Sequence, residues 1–178
     1  NTMVNSIQGI RRFCEVQSDE LDAKLIAQID RSFAIAKNTI NEYAAPAILT
    51  SSTNITVTNQ DTQEKSDISL PDFTAGTTKF FKNYGIVDRI ADKINIPGTT
   101  STIFQMHDGK LIRIATNVKT SSGDRAILTY IPSDSLVYRT IAEGKAYRGR
   151  AVVVGKWNIT HYEPLKSRDG KIIGALYL

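Results

Sequence analysis

Three basic residues stand within or beside apolar, β-rich segments in the second half of the chain. Arg113 lies between two isoleucines, Arg125 opens the next segment, and Lys156 interrupts an otherwise apolar run. A guanidinium that points into a protein must be paired, and its fork of N–H donors matches a carboxylate. Tyrosines in the same half supply phenol groups that would orient such a ligand. These residues predict an anion-binding pocket formed by Arg113, Arg125, Tyr138, Tyr147, Lys156 and Tyr162.

The same residues also have a purely structural interpretation. Antiparallel sheets often keep one face in water, where arginine and lysine side chains are solvated. Tyrosines equally pack in cores when their hydroxyls find a hydrogen-bond partner. On the two-residue alternation of a strand, Arg113 shares a face with Ala115 and Asn117. The burial of that face decides between the two interpretations.

Residues suited to catalysis or metal binding are sparse. His107 falls in a predicted turn and His161 in a predicted strand, and neither has a nucleophile beside it in the sequence. Two isolated histidines do not supply the ligand cluster of a metal site. The single cysteine, Cys14, excludes an intrachain disulfide, and its apolar neighbours predict a buried thiol, with an intermolecular disulfide as the alternative. We therefore expect no enzyme, no metal and no cofactor.

The composition is that of an ordinary globular domain. The 178 residues include 22 basic and 18 acidic side chains, for a net charge of +4, and the length suits one domain. The basic residues are scattered and form no concentrated patch, so we expect no nucleic-acid partner. No apolar run is long enough to cross a bilayer, and the first residues show no signal-peptide pattern.

Residues 18–43 carry the pattern of a long amphipathic helix. Apolar residues recur there at spacings of three or four, which places them on one stripe. The stripe consists of Leu21, Leu25, Ile29, Phe33, Ala36 and Ile40. Similar spacing upstream, at Val4, Ile7 and Ile10, allows the helix to begin near the first residue, and Pro46 ends it. We assign residues 1–45 to this helix.

In the rest of the chain, residues 46–178, β-rich runs are separated by turn residues, which predicts a meander of antiparallel strands. Asp-Gly pairs between β-branched runs are strong hairpin signals, and they occur at 108–109 and 169–170. A Gly-Asp turn at 123–124 is a third signal. The predicted strands in the second half are residues 102–106, 111–118, 125–131, 151–165 and 171–177. Residues 54–58 and 66–71 are further extended candidates, and 84–94 have helical spacing.

Six short segments in the second half carry a family resemblance when their order and spacing are taken together. They are Thr-Ile-Phe-Gln at 102–105, Arg-Ile-Ala-Thr-Asn-Val at 113–118, Gly-Asp-Arg-Ala at 123–126, Gly-Lys-Ala-Tyr-Arg-Gly at 144–149, Tyr-Glu-Pro-Leu at 162–165 and Asp-Gly-Lys-Ile-Ile-Gly-Ala-Leu-Tyr at 169–177. This set resembles the Cache sensor domains of bacterial chemoreceptors and sensor kinases. One departure is Leu128, since the family usually has a glycine at that place.

The resemblance implies a single Cache domain over residues 1–178. Its fold class would be α+β, with the long N-terminal helix packed on a five- to six-stranded antiparallel sheet of PAS-like architecture. In such domains a small ligand lies against the inner face of the sheet under a helical or loop cap. Relatives that resemble this chain bind short-chain carboxylates, so the implied ligand is acetate, propionate, pyruvate or a similar acid.

The resemblance also implies a place and a partner. The chain would be the extracytoplasmic, periplasmic input module of a methyl-accepting chemotaxis receptor or a sensor histidine kinase. Flanking transmembrane helices outside this chain would anchor it, and the N-terminal helix would pair with its copy in a homodimer. The alternative function is a dimerising spacer that holds no small ligand and signals through protein contacts.

Overall fold

The computed structural model describes the backbone of residues 2–178 and the side chains from residue 6 onward. It has an α+β architecture in which a long helix precedes an extensive sheet. The elements, in chain order, are α1 (Thr2–Asn41), β1 (Pro46–Asn59), β2 (Lys65–Ala75), β3 (Thr78–Lys79), α2 (Tyr84–Ile94), β4 (Thr102–His107), β5 (Lys110–Thr116), β6 (Thr129–Pro132), α3 (Leu136–Ala142), β7 (Tyr147–Val153), β8 (Lys156–Lys166) and β9 (Ile172–Tyr177).

The strands form one sheet in the order β3-β2-β1-β6-β5-β4-β9-β8-β7. All neighbouring pairs are antiparallel except β1 and β6, which run parallel over Thr58↔Thr129 and Asn59↔Tyr130. The sheet therefore has nine strands in the described residues, and the prediction of five to six was too low. Two features account for the difference: the β1–β2–β3 unit joins the meander through the short parallel contact, and the predicted strand 151–165 is a hairpin.

The turns show which hairpin signals were read correctly. Asp108 and Gly109 join β4 to β5 with φ of 46° and 67°, which confirms the Asp-Gly prediction. Val154 and Gly155 join β7 to β8 with φ of 48° and 76°. Both turns have positive φ at both central residues, as a two-residue hairpin loop requires. A β-branched residue rarely adopts that conformation, and for this reason the valine run gives no hint of the second turn.

Each face of the sheet has its own apolar cluster. Helices α1 and α2 cover one face, where the buried side chains include Phe33, Ile90, Ile103 and Ile114. On the opposite face, α3 and the neighbouring loops cover a second cluster, whose members include Phe104, Ile131, Ile141, Tyr162 and Tyr177. Since both faces are covered, side chains of the central strands are buried whichever way they point.

Helix α1 packs on the sheet only along its C-terminal half. Phe33, Ala36 and Ile40 are buried, as the predicted stripe requires, whereas Leu21 and Leu25 are exposed. All side chains from residue 6 to residue 21 are exposed, so this half projects from the domain. Cys14 belongs to the projecting half, and its predicted burial was wrong. In the described part of the chain, no helix combines the length and apolarity that spanning a membrane requires.

Polar contacts tie the docked half of α1 to the last hairpin. The ring of the buried His161 stacks on Phe33 with centroids 3.9 Å apart, and its Nδ1 lies 2.7 Å from Oδ1 of Asp30. Nearer the projecting half, the guanidinium of Arg150 contacts both carboxylate oxygens of Asp22, at 2.7 and 2.9 Å. A displacement of α1 along its axis would break these contacts, so they hold the helix in register with strands β7 and β8.

Candidate ligand-binding site

Strand β5 turns Arg113 toward the face that α3 covers. The register of β4 and β5 shifts between Ile103, which pairs with Ala115, and Phe104, which pairs with Arg113. A bulge of this kind breaks the two-residue alternation of side chains. Ala115 therefore packs in the cluster under α1 and α2, while the guanidinium of Arg113 lies over the Phe104 ring, 5.0 Å from its centroid. The expectation that Arg113 and Ala115 share a face was wrong.

The guanidinium of Arg113 is fully buried and has only neutral hydrogen-bond partners among the described side chains. Its Nη1 donates to Oγ1 of Thr129 at 2.9 Å, and its Nη2 donates to Oε1 of Gln60 at 3.0 Å. Its Nε has no hydrogen-bond partner. Burial lowers the pKa of Arg113, although a guanidinium remains charged in proteins. The structure therefore holds a buried cation without a paired anion.

Two tyrosines, Tyr162 and Tyr177, belong to the apolar cluster that contains Phe104. Tyr162 is fully buried, its ring centroid lies 6.0 Å from that of Phe104 and 4.8 Å from that of Tyr177, and its hydroxyl has no hydrogen-bond partner among the described atoms. Burial raises the pKa of Tyr162 far above its ordinary value, so the hydroxyl remains a donor. The Tyr177 hydroxyl instead shares a hydrogen bond of 3.2 Å with Oγ1 of Thr100. Two buried donors, Arg113 Nε and Tyr162 OH, thus lack acceptors.

A cavity of about 380 Å³ opens beside these residues. Its lining includes Gln60, Tyr147 and Tyr162, with Leu136 and Val137 of α3 on another side. Tyr147 packs edge-on against Tyr162 with centroids 6.0 Å apart, and its hydroxyl donates to the backbone oxygen of Arg150 at 2.6 Å. The cavity has the size of a small-molecule site. Arg113 does not line it, but Gln60, which does, is hydrogen-bonded to Arg113.

Arg125 has a structural contact in place of a ligand. Its two terminal nitrogens donate to the two carboxylate oxygens of Asp88 on α2, each at 2.8 Å, and Nη1 also donates to the backbone oxygen of Thr116. The guanidinium lies over the Tyr84 ring at 4.7 Å. The hydrogen bonds that Arg125 donates to Asp88 raise the pKa of Arg125 above its ordinary value. This residue clamps α2 to the loop between β5 and β6, and the structure does not bring it to the cavity.

Lys156 and Tyr138 also lie away from the cavity lining. Lys156 begins β8, directly after the Val154–Gly155 turn, and its side chain is exposed. Tyr138 is half-buried on α3 and packs against the same apolar cluster as Phe104. Of the six predicted site residues, the structure thus brings Tyr147 and Tyr162 to the cavity lining, and Arg113 bonds another lining residue, Gln60. No group of three or more metal-ligating side chains is clustered in the described part of the chain.

Gln60 and Thr129, the two partners of Arg113, were missed by the sequence analysis. Gln60 follows β1 in a polar turn, and Thr129 opens β6, so neither stands out by type or spacing. The signal that was available is Leu128, which the sequence analysis singled out as a departure from the resemblance. Leu128 has φ of 61°, and its backbone N–H donates to the Arg113 carbonyl oxygen at 2.9 Å. Glycine adopts this conformation without strain, whereas a leucine rarely does.

The comparisons with known proteins agree with this architecture. A family model described as the Cache 3/Cache 2 fusion domain matches residues 1–178, the whole chain. No curated protein and no solved structure gives a significant match. The α+β arrangement of an N-terminal helix and a mostly antiparallel sheet is consistent with a Cache or PAS-like fold.

Proposed function

Because the chain belongs to the Cache 3/Cache 2 fusion-domain family, we propose that it is the input module of a bacterial transmembrane receptor and binds a small monocarboxylic acid. Cache domains are typically extracellular or periplasmic sensors and are generally not enzymes. The proposed receptor is a methyl-accepting chemotaxis protein, with the acid entering through the cavity beside Tyr147 and Tyr162.

The buried guanidinium of Arg113 is the observation that supports an acidic ligand. Removing an ion from water costs several kcal/mol unless an opposite charge compensates it. Asp61, which acts on the Arg113 charge from the exposed β1–β2 turn, forms no ion pair with it. A ligand carboxylate would supply the missing charge and accept hydrogen bonds from Arg113 Nε and Tyr162 OH, the two donors without acceptors.

The surroundings favour a ligand with one negative charge and a short carbon chain. Ile131, Val137 and Ala151 contribute apolar surface to the cavity lining, which suits a methyl or ethyl group. Two carboxylates, Asp61 and Asp134, also line the cavity and would repel a second negative charge. Arg150 also lines the cavity, but its guanidinium already contacts Asp22. Acetate, propionate and pyruvate meet these conditions.

A thermal-shift screen tests the proposal. A ligand at 100 times its dissociation constant stabilises the folded state by about 2.7 kcal/mol, so two- and three-carbon monocarboxylates should raise the melting temperature of the isolated domain. Ionic strength and pH are matched with sodium chloride to separate binding from salt effects. Stabilisation by dicarboxylates, amino acids or sugars alone would contradict the proposed ligand class. If no small molecule stabilises the domain, the alternative function, a dimerising spacer that holds no small ligand, is favoured.

The projecting half of α1 supports pairing with a second copy of the chain. Ile7, Ile10 and Phe13 are more than 60% exposed there, and a helix without packing partners is marginally stable in water. We propose that these side chains meet their copies in a parallel homodimer of the full-length receptor. In a Cys14→Ser background, cysteines introduced at Ile7 and Ile10 should cross-link the subunits.

The control for cross-linking is a position on the other side of the same helix. Arg12 lies roughly opposite the line through Ile7 and Ile10, because successive residues are about 100° apart. Arg12→Cys should therefore cross-link much less than Ile7→Cys or Ile10→Cys. Equal cross-linking at all three positions, or none, would show that α1 does not form a defined helix pair. Native Cys14, which is exposed, should itself form a disulfide-linked dimer under mild oxidation.

A further inference from the structure

Gln60 lies at the joint between the two parts of the sheet. It directly follows β1, and its backbone N–H donates to the Tyr130 carbonyl oxygen on β6 at 3.1 Å. Only two residue pairs, Thr58↔Thr129 and Asn59↔Tyr130, make the parallel register of β1 and β6. The Gln60 side chain crosses this joint to reach Arg113 on β5. It therefore adds a side-chain hydrogen bond between the end of β1 and β5, where the backbone pairing of β1 with β6 is short.

The contact engages one of the two guanidinium nitrogens that a carboxylate would use in a side-on pair. Nε and Nη2 of an arginine point to the same side and together form the side-on fork that holds both oxygens of a carboxylate. In Arg113, Nη2 donates to Oε1 of Gln60 at 3.0 Å, while Nε on the same edge has no partner among the described atoms. Nη1, on the other edge, is held by Thr129. A single amide oxygen thus leaves Nε, the other nitrogen of the fork, without an acceptor.

Gln60 is also the residue through which the cavity reaches Arg113. It is half-buried and lines the cavity together with Tyr162, whereas Arg113 itself does not. A ligand entering from the cavity therefore meets the Gln60 amide before the guanidinium. A charged carboxylate forms stronger hydrogen bonds with a guanidinium than a neutral amide oxygen does, so the exchange favours the ligand.

We infer that Gln60 is an internal substitute for the ligand carboxylate, which holds Arg113 in the empty domain and is displaced when an acid binds. This inference rests on the proposed function and adds a competing residue to that site. Displacement would cut the tie between β5 and the end of β1. Because β1 follows α1 after a short connection, the exchange acts on the strand that follows the docked end of this helix.

Two substitutions at this position should change affinity in opposite directions. Gln60→Ala removes the competing acceptor, so the affinity for acetate or propionate should increase about tenfold, which corresponds to about 1.4 kcal/mol. Gln60→Glu places a permanent carboxylate at Arg113, so acid binding should fall at least about tenfold and the empty domain should melt at a higher temperature. Isothermal titration calorimetry of the purified domain with each acid measures the affinities, and circular dichroism measures melting.

The matched control is Gln63→Glu, which makes the same charge change in the same turn. Gln63 is exposed, and its side-chain amide donates to the Gln60 backbone oxygen at 2.9 Å, away from the Arg113 contact. This variant should bind acids like the wild-type domain. If it loses binding as Gln60→Glu does, the loss is not specific to a carboxylate at the Arg113 contact, and the inference is overturned.

The outcomes separate this inference from the proposed function. Wild-type binding that Gln60→Ala and Gln60→Glu leave unchanged would overturn the inference alone. Binding that appears only in Gln60→Ala would support it, because the substitute then outcompetes the acid in the wild-type domain. If neither the wild-type domain nor Gln60→Ala binds any monocarboxylate, the proposed function fails and the inference fails with it. Melting of Gln60→Ala near the wild-type temperature establishes that the variant is folded.

Discussion

Arg113→Met is expected to weaken the binding of acetate or propionate by at least about 100-fold, because hydrogen bonds to a charged group contribute about 1.5–3 kcal/mol each. The folded state should tolerate the change. Replacing a buried ion by an apolar residue of similar length is often neutral or stabilising, and the guanidinium has only the neutral partners Gln60 and Thr129. Calorimetric titration measures the affinity, and urea unfolding measures the stability.

Two further variants make this result specific. Lys156→Ala removes an exposed cation outside the cavity lining and should bind acids like the wild-type domain. Tyr162→Phe removes a buried hydroxyl without a hydrogen-bond partner, so it should weaken binding while the empty domain becomes no less stable. If Arg113→Met binds as the wild type does, the guanidinium is structural and the ligand site lies elsewhere.

Gly174→Ala is expected to have the largest effect on stability, a loss of about 3–5 kcal/mol in the free energy of unfolding. A Cβ atom at this position would lie 2.0 Å from the carbonyl oxygen of Phe104 and 3.1 Å from its carbonyl carbon. Backbone atoms of a central strand cannot move away as a flexible side chain can. The β4–β9 pairing would have to separate where Gly174 pairs with Gln105. Urea unfolding followed by circular dichroism measures the loss.

The control for this glycine is Gly9, which lies in the projecting half of α1. Among the described residues, no atom beyond the neighbouring residues and the local helix backbone lies within 4 Å of a Cβ built there, so alanine adds helix propensity without a clash. Gly9→Ala should therefore be neutral or stabilising by up to about 1 kcal/mol. A Gly174→Ala domain that unfolds at the wild-type urea concentration would show that β4 and β9 are not packed as closely as described.

The sequence was sufficient for features that depend on local conformation. The Asp108-Gly109 turn was predicted because those residue types adopt positive φ readily, and the structure has φ of 46° and 67° there. The docked half of α1 was predicted because a period of 3.6 residues places Phe33, Ala36 and Ile40 on one stripe, and all three are buried. Both patterns reflect the local backbone conformation, so they can be interpreted without knowing which distant residues pack against them.

The number of strands depended on contacts that have no local signature. Val154 adopts φ of 48° in the β7–β8 turn although a β-branched residue disfavours that region, so packing of the hairpin holds the turn. The β1–β6 contact joins residues 58 and 129, which are far apart in the chain. Neither feature can be predicted from residue spacing or propensity. Together they account for the difference between the nine strands of the structure and the five to six predicted.

At the candidate site, the cationic residues show the same contrast between what local sequence predicts and what long-range contacts decide. Arg113, Arg125 and Lys156 look alike in the sequence, since each interrupts or borders an apolar segment. The tertiary structure gives them different partners: a bulge turns Arg113 over Phe104, α2 brings Asp88 to Arg125, and a turn leaves Lys156 in solvent. Residue type and spacing determined that cations would lie among these strands. Which of them is buried without an anion was decided by long-range packing, because burial and pairing are properties of the neighbours that the fold brings together.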